Sequence, residues 1–166
     1  MPKLIKDRAI IDDTWLLLRP ASDGALPELP AQGDVIVPLP LWQAQRDVLL
    51  ARKSKRGVWL APNEEPELLA ADLDKFAVIA IDFPRFTDGR GYSIARLLRE
   101  RYKYAGELRA IGDVLQDQIF YLHRCGFNAF AVRADKNIES ALKALNDFSE
   151  VYQVSVEQPQ PLFRRK

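Results

Sequence analysis

Apolar and polar positions along the chain fall into two alternating rhythms. Short runs with an apolar residue at most positions are read as buried strands over 34–39, 57–61, 76–83, 107–112, 128–133 and 151–156. Between them, apolar residues recur at helical spacing. Leu41, Ala44 and Val48 predict a helix over 41–53, and Glu67 to Leu73 a shorter one. Ile94, Leu97 and Leu98 share one face of a helix over 93–102, with Ser93 as its cap. Asp113 and Gln116 read as a capping box for a helix that buries Leu115, Ile119 and Leu122 and ends at Gly126. Ile138, Ala141, Leu142 and Leu145 mark the last helix.

The N-terminal third is different. Ala9–Ile11 and Trp15–Leu18 flank Asp12, Asp13 and Thr14, which predicts a β-hairpin turning at the aspartates. Residues 19–33 hold Pro20, Pro27, Pro30, Gly24 and Gly33 and read as loop. The whole is one α/β domain over 1–166: hairpin and Pro-rich loop to 33, a βα core over 34–158, and a basic tail over 159–166. The rhythm implies a mostly parallel sheet built from successive βα units. An open sheet is favoured, and a partial (β/α) barrel is the alternative.

Composition narrows the function classes. The net charge is +1, so no global field draws the chain to nucleic acid or membrane, and the runs Arg52–Arg56 and Arg164–Lys166 read as solvated surface. The single cysteine, Cys125, and single histidine, His123, leave no intrachain disulfide and too few ligands for a Cys/His zinc site. Neither a secretory signal nor a run of about 20 apolar residues is visible, so a cytoplasmic protein is expected.

The stretch Val78 to Arg96 carries the candidate chemistry. A buried strand runs into a loop with two glycines and then into a helix N-terminus, an arrangement that favours anions. Arg85, Thr87, Asp88, Gly89, Arg90, Gly91, Tyr92 and Ser93 are the candidate ligand-binding residues, with Arg133 at the end of a neighbouring strand. Arginine forks match the oxygens of sulfite, sulfate or phosphate. Asp82 and Asp113 are the candidate catalytic carboxylates. As a catalytic carboxylate Asp113 needs a partner, which Asp82 or Glu107 supplies only if the strands are adjacent, and Asp117 or Gln118 is a further group that could reach the crevice. Gly89-Arg90-Gly91 lacks the third glycine of a dinucleotide fingerprint and the Gly-Lys-Ser/Thr of a P-loop. Nothing in the sequence supports NAD, flavin, zinc or an iron–sulfur cluster.

Several stretches resemble a proteobacterial family of unknown function. They are Asp82 to Ser93, Leu97-Leu98-Arg99, Gly106 to Leu115, and Gly126-Phe127 with Phe130. The resemblance implies genes beside assimilatory sulfite reductase and a label of probable oxidoreductase. The implied role is an accessory protein of sulfite assimilation. The alternatives are a non-enzymatic adaptor or maturation partner of sulfite reductase, with Arg96, Arg99, Arg101 and Tyr104 at the contact, and a phosphate-handling enzyme.

Overall fold

A computed structural model describes residues 1–145, 155–156 and 159–160. Among the described residues eight strands form one sheet: β1 (Lys3–Lys6), β2 (Ala9–Asp12), β3 (Leu16–Leu17), β4 (Val35–Pro38), β5 (Arg56–Leu60), β6 (Val78–Phe83), β7 (Glu107–Gly112) and β8 (Ala129–Phe130). Their spatial order is β2-β1-β8-β7-β6-β5-β4-β3. From β3 to β8 every neighbouring pair is parallel, while β1 is antiparallel to both β2 and β8. All six residues of β6 are buried, as its unbroken apolar run requires of a strand covered on both faces.

Because the parallel strands follow each other in sequence, right-handed crossovers put the described helices that link them on one face. These are α1 (Leu39–Ala44), α2 (Arg46–Ala51), α3 (Arg90–Glu100) and α4 (Gln116–Arg124), and α5 (Ile138–Ala144), after β8, joins the same face. Their apolar residues join one core cluster with Ile79, Ile81, Phe83, Leu108 and Ala110 of the sheet. The other face has its own small cluster of Ile36, Trp59, Val78, Ala80 and Ile111, against which Trp15 and Leu17 pack.

The sheet is a curled half-barrel, and chain length alone demands the curl. Strand β2 ends at Asp12 on one edge and β3 begins at Leu16 on the other. Four residue steps reach at most about 14 Å. A flat eight-stranded sheet would hold its edges about 33 Å apart. The link crosses the helix-free, concave face, where Asp13 meets Arg109 of β7 at 3.1 Å. Arg109 is 2% exposed and also bonds Glu107 at 2.7 Å. Lys6 completes the group at 2.9 Å from Glu107.

The N-terminal antiparallel pair exists, but its turn is elsewhere. It lies at Asp7 and Arg8, whose φ values are 47° and 66°. A two-residue left-handed turn suits the twist of a hairpin but favours Asn-Gly, a signal that Asp-Arg does not send. Residues 12–14 instead start the crossing link, and Leu16–Leu17 pair with Val35–Ile36. The helix predicted over 41–53 is two short ones, interrupted at Gln45 with φ −127° and ψ 33°. Residues 67–73 form no α-helix; 3-10 turns at Pro66–Leu69 and Leu73–Lys75 take their place. Helix α3 starts at Arg90, so Ser93 sits within its first turn and caps nothing. The predicted strand over 151–156 falls largely on residues 151–154, outside the described ones. Among the described residues no helix is long and apolar enough to cross a membrane.

Candidate functional site

The C-terminal ends of β6, β7 and β8 carry most of the residues singled out above, and three loops meet there. The loop after β6 is held from outside. The Phe86 backbone N–H donates to Asp113 Oδ2 at 2.9 Å, and Gln118 Nε2 donates to the Phe86 carbonyl at 2.6 Å. The other Asp113 oxygen accepts from Arg133 at 2.8 Å, which ties in the loop after β8. Arg133 also forks onto Asp135 at 2.7 and 2.9 Å. The Arg133 guanidinium, with help from the Phe86 N–H, holds the Asp113 carboxyl below its ordinary range.

Asp113 is therefore not the cap of α4. Leu115 occupies that position, and the Gln118 side chain turns back to the Leu115 N–H at a long 3.5 Å. The reason is competition: an ionised carboxylate gains more from a guanidinium and a loop N–H together than from one helix N–H.

Within the loop, Asp88 accepts from the Arg90 backbone at 3.2 Å and from its side chain at 2.8 and 3.0 Å. These contacts, the side chain first, hold the Asp88 carboxyl below its ordinary value. The protein's own carboxylate thus sits where the helix start would favour an external anion. Gly91 is buried against the Phe83 ring so closely that a Cβ there would come within 2.6–2.7 Å of it, which requires glycine. Tyr92 packs between Phe83 and Tyr121, at 5.4 and 5.0 Å between ring centres. Burial pushes its phenol up. Thr87, Gly89 and Ser93 are exposed. Arg85 is exposed and has no carboxylate partner among the described residues.

Asp82 points to the concave face and is 7% exposed. Its partner is Arg19, at 2.9 Å, from the loop after β3. The Arg19 guanidinium lies 5.1 Å from the centre of the Trp59 ring, and the Trp59 indole N–H donates to the Leu18 carbonyl at 2.9 Å. Gly112 adopts φ +92° beside Asp82; a Cβ there would meet the Phe83 carbonyl oxygen and lie 2.7 Å from Asp82 Oδ1. Neither Asp82 nor Glu107 partners Asp113, whose oxygens meet Arg133 and the Phe86 N–H. Asp82 takes Arg19. Glu107 aligns with Val78 at the other end of the strand pair, where Arg109 and Lys6 take it.

Arg19 escapes sequence reasoning because 63 positions separate it from Asp82 and its Pro-rich surroundings carry no periodic signal. Asp135, two residues after Arg133, was the more readable local clue. The helix proposed as a partner surface is partly internal. Tyr104 is buried, with its hydroxyl donating to the Phe76 carbonyl at 3.1 Å. Arg99 donates to the carbonyls of Tyr104, Gly106 and Gly126. His123 and Cys125 lie at the far end of α4, and burial pushes the Cys125 thiol up. Among the described residues no group of three His, Cys, Asp or Glu could hold a metal ion.

A profile of known families matches residues 57–163, the span that contains all three loops of this rim. The chain belongs to DUF934, a bacterial protein family of unknown function. No curated protein matches the sequence. The DUF934 match begins in β5 and so leaves out Arg19 and the crossing link, which the remainder of the chain supplies.

Proposed function

We propose that the protein is a soluble, cytoplasmic accessory protein of sulfite assimilation that holds a small oxyanion or anionic metabolite on the 82–93 loop. The metabolic setting rests on what the sequence resemblance implies, a gene placed beside sulfite reductase. The observation that carries the site is Arg85: an exposed guanidinium with no carboxylate partner among the described residues, on a loop fixed at both the N–H and the carbonyl of Phe86. A fixed loop places a charged fork without an ordering cost at binding. Arg90 and Arg133 already meet carboxylates, so they line the site rather than lead it. Asp82 and Asp113 would orient the ligand or a bound water.

The test is thermal. A ligand at a hundredfold excess over its Kd stabilises the native state by about 2.7 kcal/mol. Sulfite, sulfate or phosphate should raise Tm beyond chloride at matched ionic strength. Arg85→Ala should remove that excess and Arg90→Ala should reduce it less. If no oxyanion outdoes chloride, the proposal fails.

A further inference from the structure

The opposite pole of the half-barrel, at the N-terminal ends of β4 to β7, carries charge of another kind. Three open clefts of about 440, 340 and 370 Å³ adjoin there. The first two share Lys53 and Ser54, and the last two share Asp74 and Phe76, so they form one groove. Arg52, Lys53, Lys55, Arg56, Lys75 and Lys103 line it, and Asp74 is the one acid among its described lining residues.

Most of these cations are not neutralised. Arg52 donates to the carbonyls of Pro30 and Gly33, and Arg56 to those of Leu49 and Lys75. A carbonyl orients a guanidinium but does not cancel its charge. Lys53, Lys55 and Lys103 are exposed and have no carboxylate partner among the described residues. Lys75 is near described acids, 3.4 Å from Asp74 and 3.9 Å from Asp72. The chain's net charge of +1 conceals this local excess.

We infer that this groove docks an acidic, extended segment of a partner protein. Four adjacent strand starts span about 15 Å, the length of four or five extended residues and more than a small oxyanion covers. Base stacking lacks a platform: Phe76 and Tyr104 are buried, and Arg101 covers the half-buried Tyr102 at 5.5 Å. The groove is independent of the anion site at the other pole.

Fluorescence anisotropy with labelled octaglutamate tests the assignment on the full chain. The wild type should bind it, with affinity falling as salt rises. Lys53→Glu/Lys55→Glu should weaken Kd about tenfold or more at low salt. Lys136→Glu/Lys143→Glu, the same charge change on and beside α5, should leave it within about twofold. All four side chains are exposed, so an unchanged Tm identifies folded variants. Absence of binding, equal loss in both variants, or tighter binding of an oligothymidylate of equal charge would each overturn the proposal.

Discussion

The two poles of the half-barrel use arginine in opposite ways. At the C-terminal rim Arg19, Arg90 and Arg133 each meet a carboxylate: Asp82, Asp88, and the pair Asp113 and Asp135. Charge is spent locally there, and what it achieves is the joining of loops. At the N-terminal pole Arg52, Arg56 and Arg99 meet backbone carbonyls. Those arginines also join loops, yet they keep their charge for whatever approaches. The partner of each arginine, not their number, separates the poles, and exposed Arg85 is the rim's exception.

The sharpest break of this comparison is Arg99→Ala. It removes donors from three loop carbonyls and from Asn128 at a half-buried position, where desolvation holds the guanidinium pKa down. Each lost charged hydrogen bond contributes about 1.5–3 kcal/mol, not additively, so a loss of about 3 kcal/mol is expected in urea unfolding. A loss under about 1 kcal/mol would show that the carbonyl clamps are not structural. Next comes Gly112→Ala at the rim. Its positive φ and the crowding against the Phe83 carbonyl predict a loss of about 2 kcal/mol or more, read the same way.

Asp113→Asn probes the rim's pairing directly. It keeps an acceptor for Phe86 but removes the charge facing Arg133. Amide exchange at Phe86 should rise while global Tm moves little. Acid should mimic it. A carboxyl with a depressed folded pKa stabilises above its unfolded value of about 3.9 and loses that contribution as pH falls toward the folded value. Both Asp113 and Asp88 are depressed, so the rim loops should loosen below about pH 4. Phe86 exchange corrected for intrinsic rate and flat from pH 6 to pH 3 would contradict this. The smallest effect belongs to Arg85→Ala, whose ligand-free stability should stay within about 0.5 kcal/mol of wild type by urea unfolding. A larger loss would mean that Arg85 is a structural clamp like Arg99.

Local patterns were legible in the sequence. The unbroken run of β6, the helix period of α3 and the bounds of β7 follow from side-chain spacing, and the βα rhythm follows from their alternation. The rim loop was legible because its glycines and charges lie within a dozen residues. Features made by distant partners were not. The choice between open sheet and half-barrel turns on where residues 12–16 travel, and no periodicity encodes that. Arg99 looked like part of a charged face because its partners are carbonyls, which composition cannot mark. Ser93 looked like a cap because serine favours that position, but Asp88, five residues earlier, reaches the helix start first.

The short crossing between β2 and β3 works as a bowstring. Its ends are fixed to the two limbs of the sheet, and its reach sets the largest opening the bow can adopt. Curvature in this protein is therefore a property of tether length as much as of strand twist. Lengthening the string would let the limbs spread and would wet Trp59 and Arg109, with no core residue changed. Cutting it would leave the same strands in the same order, free to flatten.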